Sequence, residues 1–505
     1  MPATIDLRPA RALKPAGYTI ATIVCSFGGF LMGTDTSIVG PVTQMENFLH
    51  QFGHLDSAVH GILVSCVLLS AAVTSFFAGR IADALGRTRA MALGAAIFTV
   101  GAVLQAAATH LVMFALGRVV EGLGYGVFIG TQTVYICEIS PPKRRGPLTS
   151  GPQFMTCLGL VTGYFTSYGT VNIPGSFSWR LPFIINASIA AAYVLANFFV
   201  LPDSPPWLML HGRQADAERA WEALGVKRDE RQIDGNAPAD SGDNGSSFPG
   251  EAVAAASSPA QEKDQVRFID LWARDVRSRT FLAVFLLGFL QLCGIDAVLF
   301  YAPMLFQAAG LQSQQASFLT SGVSAILIFT TSVPATIFAD KWGRRTSTLV
   351  GGFGLTVTLL LVGSLYAANA VHANHGAGRW IVIVTIYLFC IIQSATWGIS
   401  IKVWAPEIQP PRTRAQATNL AYVFNWVCNF FVAFVCPILL ERNVPSVYFM
   451  FGGCTIAATV VSFFYMIETK GKSFSEIERA FEKKRLGPHI RLSNLTQTFR
   501  DTKVS

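Results

Sequence analysis

Five ionisable side chains stand inside otherwise apolar runs of this 505-residue sequence: Asp35, Arg118, Glu121, Asp296 and Lys402. Charge in such surroundings is costly to hold and points to function. Asp35 lies about five residues, and Arg118 about seven, from the ends of their runs that face one side. At ~1.5 Å of rise per residue the two share a depth and can pair. A carboxylate beside a buried guanidinium is ionised, yet is released when it takes a proton or the guanidinium moves away. That is a workable proton switch; a static ion pair is the other reading. Glu121 follows Arg118 by three positions on the same helical face, so it can share the guanidinium or take a second proton.

Lys402 sits in "TWGISIKVWAPEI", about five residues from Glu407, whereas Asp296 is about sixteen residues up its own run. Their depths from the same face, ~8 Å and ~24 Å, argue against a direct pair. Two readings of Lys402 stay open. The side chain snorkels to the interface, or it projects into an inner cavity and meets an anionic or carbonyl group on a ligand. Asn425 and Asn429, four apart in "NWVCNF", share a face. Amides there suit a hydroxylated ligand, or they serve as glue between helices.

These side chains need elements that hold them in a bilayer. With 51% hydrophobic and 13% charged residues and a mean hydropathy of +0.44, the chain is no ordinary soluble domain. Twelve runs are long enough to span a membrane: 18–40, 60–82, 90–109, 111–136, 150–170, 181–201, 280–303, 317–340, 347–369, 379–404, 416–440 and 446–467. The expected fold is an all-α membrane protein, twelve helices in two pseudo-symmetric six-helix bundles. Its parts are an N-terminal segment (1–17), a first bundle (18–201), a linker with a disordered middle (202–279), a second bundle (280–467) and a tail (468–505).

Basic residues set the orientation. One set of loops carries Arg80, Arg87, Arg89, Lys143, Arg144, Arg145, Lys341, Arg344, Arg345, Arg412 and Arg414; the alternate loops hold only Arg180, Arg379 and Arg442. The positive-inside rule then places both termini and the linker in the cytosol. The net charge of +8 follows from this topology and requires no nucleic-acid partner. The nine cysteines fall in apolar runs and offer no disulfide framework. The N-terminal residues lack a signal-peptide pattern. In the linker, "RQADAERAWEAL" and "FIDLWARDVRS" read as short amphipathic helices flanking a Gly, Ser, Ala and Asp-rich stretch.

The two halves repeat one plan. "GRIADALGR" and "ADKWGRR", "CEISPPKRRG" and "PEIQPPRTRA", and "PDSPPW" and "IETKGKS" recur at offsets of 257, 269 and 265 residues. Such duplication marks secondary transporters, with a site near the midplane between the halves. The repeated acids Asp83, Glu138, Asp340 and Glu407 stand near Arg80, Arg87, Arg144, Arg145, Arg344, Arg345, Arg412 and Arg414. They are expected to form a salt-bridge latch between the two halves on the cytosolic side, made in one state of the transport cycle and broken in the other; topological decoration is the other reading.

Ten patterns stand in order along the chain: "GGFLMGTDTSIVG", "GRIADALGR", "GRVVEGLGYG", "YICEISPPKRRG", "PDSPPWL", "LQLCGIDAVLFYAP", "DKWGRR", "VWAPEIQPPRTRA", "NWVCNF" and "ETKGKSF". In these patterns and their order the chain resembles the sugar porter family of the major facilitator superfamily. The resemblance carries expectations for the site. It implies that Asn425, Asn429, Gln291 and Tyr164 contact sugar and that Phe300 and Tyr301 form an outer gate. It also implies coupling, since proton-coupled members carry an acid at the Asp35 position. The departures fall in the site. The family asparagine is Asp296, Gln-Gln is Leu290-Gln291, and Gly-Pro-x-Pro-Trp is Gly398-Ile399-Ser400-Ile401-Lys402. Without those prolines a continuous helix is expected to hold Lys402.

The expected function is secondary transport of a sugar, polyol or related hydroxylated molecule, with protons, across the plasma membrane. The alternative is an acidic metabolite, sugar acid or natural product on the same scaffold. A transport-inactive sensor is disfavoured by the tail of 35 residues after Lys470. No His, Asp or Glu cluster has metal or nucleophile spacing, so no enzyme, metal or cofactor is expected.

Overall fold

The computed structural model describes residues 17–141, 144, 148–226, 272–273, 276–311, 313–372, 377–410, 413–470, 472 and 474–485. Their regular structure is helical. The first half comprises α1 (Gly17–Val42), α2 (Glu46–Phe52), α3 (Ser57–Leu85), α4 (Arg87–Ala106), α5 (Leu111–Ile139), α6 (Gly151–Thr170) and α7 (Phe177–Phe199). Two short helices follow, α8 (Pro205–Leu210) and α9 (Gln214–Leu224). The second half comprises α10 (Arg277–Leu292), α11 (Ile295–Ala308), α12 (Gln314–Trp342), α13 (Arg344–Ala367), α14 (Gly378–Ala395), α15 (Trp397–Glu407), α16 (Arg414–Arg442) and α17 (Val444–Tyr465). A tail helix, α18 (Phe474–Arg485), completes the chain as described.

Among the described residues, eleven segments are long and apolar enough to cross a membrane, with α10–α11 and α14–α15 each counted once. Helix α6 is the expected twelfth. Its sequence, "GPQFMTCLGLVTGYFTSYGT", is diluted by small and hydroxyl residues. Packing explains that dilution. A Cβ on Gly33 of α1 would lie 2.0 Å from the Thr156 carbonyl oxygen, and one on Gly159 of α6 would lie 2.3 Å from that of Phe30. The two backbones touch, as small residues permit between helices in a bilayer. Twenty residues at ~1.5 Å each still cover a hydrocarbon core.

Two spans are broken. Gly294 takes φ +88° between α10 and α11, a left-handed value open to glycine. Thr396 takes φ −122° and ψ −81° between α14 and α15. The continuous helix expected around Lys402 is therefore wrong: the break comes six residues before it. No proline is needed, because side chains hold the break. Thr396 Oγ1 donates to the Ile392 carbonyl at 2.6 Å, and the buried Trp397 indole donates to the Thr348 carbonyl of α13 at 2.8 Å.

Within the halves α1 packs on α6, α4 on α5 and α13 on α17; α3 against α16 and α6 against α12 join the halves. Helix α9 realises the first amphipathic stretch of the linker, burying Ala217, Ala220, Trp221 and Leu224 as one stripe. Most of the second stretch, and the Gly- and Ser-rich middle, lie outside the described residues. All nine cysteines are free thiols.

Candidate functional site

The first constellation joins α1, α4 and α5. Arg118 Nη1 lies 2.5 Å from Asp35 Oδ1 and 3.3 Å from Glu121 Oε2, and Nη2 donates to the Val64 carbonyl at 3.1 Å. Gln105 donates its amide to Glu121. Arg118 and Glu121 are fully buried and Asp35 is 5% exposed. Gly101 makes the arrangement possible, since a Cβ there would lie 2.4 Å from the Glu121 backbone nitrogen. Helix α4 can thus approach α5 closely enough for Gln105, one turn on, to reach the carboxylate. Two carboxylates on one guanidinium leave one negative charge in excess when both are ionised, and one proton cancels it.

The second constellation surrounds Lys402. On α15, Trp397 donates to Thr348, Ser400 to Ser347 at 2.8 Å and Trp404 to the Ile467 carbonyl at 2.9 Å, so this face packs outward on its own half. At ~100° per residue, Lys402 points ~150° away from that face. Its electrostatic neighbours are Asp296 on α11 and Cys157 on α6 of the other half. The side chain therefore faces the interior between the halves, not lipid. Lys402 and Asp296 feel each other's charge, but no ion pair or hydrogen bond joins them.

The amides stand nearby on α10 and α16. Gln291 donates to Asn425 Oδ1 at 3.4 Å, and Asn425 donates to the Leu287 carbonyl at 2.7 Å. Asn429 Oδ1 and Asp296 Oδ2 are buried and accept no hydrogen bond. The two tyrosines sit differently. Tyr164 donates to the Leu299 carbonyl across the halves, and Tyr301 donates to the Ala433 carbonyl at 2.6 Å. Both side chains are buried, so in this conformation neither offers its hydroxyl to a ligand. They belong to a closure at the end away from the Arg-rich turns. There Thr43 and His60 are 2.8 Å apart, the His60 ring lies edge-on to Tyr301, and a Cβ on Gly40 would strike the Phe300 carbonyl oxygen.

At the Arg-rich end each half carries one cluster. Arg87 bridges Glu138 at 2.9 Å and Asp83 at 2.8 Å, while Ser204 donates to Glu138. Arg344 bridges Glu407 at 3.2 Å, and Thr469 donates to Glu407 at 2.5 Å. Glu468 accepts from the backbone nitrogens of Arg344 at 2.7 Å and Arg345 at 3.1 Å. Among the described residues these bridges run within each half; the latch between halves is expected only when the Arg-rich end closes. The pairing within each half has a local reason: Arg87 and Arg344 each follow a glycine with φ of +91° or +81°, which turns the new helix and its arginine back onto their own half. Arg345 donates to the Phe463 carbonyl at 2.8 Å. Arg80 and Arg144 are exposed. Arg145 and Arg412, and the side chains of Asp340 and Arg414, lie outside the described residues.

Sequence reasoning missed Ser204, Thr469 and Gln105. The first two carry a signal, since each follows an acid of the repeat at the same 265-residue offset. Gln105 carries none: it is a single amide in an apolar run.

Residues 21–481 match the family model described as "Sugar (and other) transporter". The chain is 27% identical to the high-affinity glucose transporter of Kluyveromyces lactis over 92% of its own length and 84% of the relative's. It is 29% identical to the glucose transporter GlcP of Staphylococcus epidermidis, covering 90% and 95%. The same identity relates it to the MFS-type transporter criB of Aspergillus cristatus, over 91% and 92%. In fold it resembles the xylose transporter XylE from E. coli in a partially occluded inward open conformation, with a TM-score of 0.71 at 20% identity, covering 90% of this chain and 99% of that one. The proton:xylose symporter XylE bound to 6-bromo-6-deoxy-D-glucose gives 0.71 at 21% identity, over 92% and 99%. By the span of the family match this multi-pass membrane protein belongs to the sugar transporter family, and its fold is the major facilitator fold.

Proposed function

We propose that the protein is a secondary active transporter that moves a sugar, polyol or related hydroxylated small molecule together with protons by alternating access. It sits in the plasma membrane with both termini and the Arg-rich turns in the cytosol. The observation that carries the reading is the buried Asp35–Arg118–Glu121 site, an acid-rich pair on one guanidinium with room for one exchangeable proton. The relatives named for glucose transport and the symporter named for protons and xylose support the substrate class and the coupling ion. The unpaired Lys402 favours an acidic member of that class.

The test is uptake by the full chain in liposomes, using labelled neutral sugars, polyols and sugar acids with and without an inward proton gradient. Accumulation that follows the gradient and collapses with a proton ionophore is expected. Asp35→Asn should abolish accumulation and keep exchange of labelled for unlabelled substrate. Gradient-driven accumulation by that variant would remove Asp35 from the coupling.

A further inference from the structure

We propose that the substrate is a monosaccharide-sized polyol bearing a carboxylate, bound with its carboxylate on Lys402 and its hydroxyls on Asp296, Asn429 and Gln291. The inference rests on the reading above, that the centre between the halves is the transport site.

The unpaired groups of the interior define what would complete them. Lys402 brings an ammonium with three donors and makes no ion pair or hydrogen bond among the described residues. An ammonium inside a membrane protein is costly unless a counter-charge meets it. Asp296 supplies a field but no bridge, so the ammonium has no bonded counter-charge. Asp296 Oδ2 and Asn429 Oδ1 are acceptors, both on residues less than 9% exposed and both without donors. Gln291 is only half-buried, and its amide is bonded at the long distance of 3.4 Å. The interior thus lacks an anion bonded to the ammonium and at least two hydroxyl donors.

Competing ligands leave part of that set unmet. A neutral hexose satisfies the acceptors but offers the ammonium only hydroxyl oxygens, with no counter-charge. A simple carboxylate without hydroxyls meets the ammonium and leaves the acceptors unpaired, each at a penalty of about 1–3 kcal/mol for a buried group. A phosphate ester brings up to two negative charges to a site with one cation and a nearby carboxylate. A hydroxylated monocarboxylate matches all three groups. The direction of Lys402 gives the pose: the carboxylate lies toward α6 and the Arg-rich end, and the hydroxyls lie toward α10, α11 and α16.

The experiment is counterflow by the full chain in liposomes with labelled D-glucuronate, D-galacturonate, D-gluconate and D-glucose. At least one acid should exchange with a lower KM than D-glucose. Lys402→Gln should raise the KM of that acid roughly ten- to hundredfold, the loss of one charge-assisted contact, and so erase the preference for the acid over D-glucose. Lys402→Arg should retain the acid. A measurement on the unaltered chain covers the case in which variants do not fold. The free acid should inhibit counterflow at least tenfold better than its methyl ester, a neutral analogue of nearly the same shape. Exchange of D-glucose without any of the acids, or equal inhibition by acid and ester, overturns the inference and leaves the transporter reading standing. Exchange of none of these four, together with no uptake of any sugar, polyol or sugar acid in the assay above, overturns the transporter reading and this inference with it.

Discussion

Arg118 is surrounded by two carboxylates and a backbone carbonyl, and its position fixes what each neighbour can do. Removing the guanidinium would leave Asp35 and Glu121 side by side without a counter-charge. Breaking one side of a buried ion pair in this way costs about 3–5 kcal/mol. Arg118→Leu is therefore expected to lower the thermal midpoint of the purified protein sharply. Adding Asp35→Asn and Glu121→Gln to it should restore much of the loss, since all three charges are then gone. A thermal-shift series on the three proteins, parent, single and triple variant, checks this, and full stability in the single variant would show that the charges do not depend on one another. The Asp35–Arg118 pair was legible in the sequence because rise per residue converts position into depth. The Gln105 contact was not, because it depends on how closely Gly101 lets two helices approach, and no spacing rule encodes that distance.

At the scale of elements, hydropathy showed where the helices run but not where they break. The break at Thr396 is set by the Trp397 indole reaching the Thr348 carbonyl on a neighbouring helix. A reading based on proline could not find it. Helix α6 shows the converse: the glycine and threonine content that weakens its apolar signal is what lets it lie against α1. Gly33→Val would force the backbones apart at a contact where a Cβ has 2.0 Å to the Thr156 oxygen. Overpacking of this kind typically costs about 1–3 kcal/mol, so a lower thermal midpoint is expected. Substrate preference should not change, because Gly33 faces α6 and not the interior ligand groups. The paired clusters at the Arg-rich end call for a similar expectation. The Arg87–Glu138 bridge is buried within one half, so Glu138→Gln should reduce stability more than it shifts the balance between open states. Thermal midpoint and vestibule labelling of that variant separate the two effects.

For the molecule as a whole, the state seen here is set by contacts at the end away from the Arg-rich turns. Three are close: the Tyr301 hydroxyl on the Ala433 carbonyl, which holds α11 to α16 within the second half, and, between the halves, Gly40 against the Phe300 carbonyl and Gly61 against that of Phe434. Gly61 lies near the start of α3 and Phe434 near the far end of α16, so this contact joins the two halves. Alternating access requires that such contacts open when the Arg-rich end closes. The hydroxyl of Tyr301 contributes about 0.5–1.5 kcal/mol, which sets a shift of roughly two- to tenfold in population on its loss. A bulkier change acts harder. A Cβ on Gly61 would lie 2.4 Å from the Phe434 oxygen, so Gly61→Val is incompatible with the closure and spares the state in which α3 and α16 have parted at this end. Tyr301→Phe and Gly61→Val should therefore both raise labelling of a single cysteine placed beyond the closure and lower labelling of one placed in the vestibule at the Arg-rich end, Gly61→Val more strongly. If both cysteines label as in the parent protein, these contacts do not govern which side is open, and the closure must be held elsewhere along α1, α3, α11 and α16.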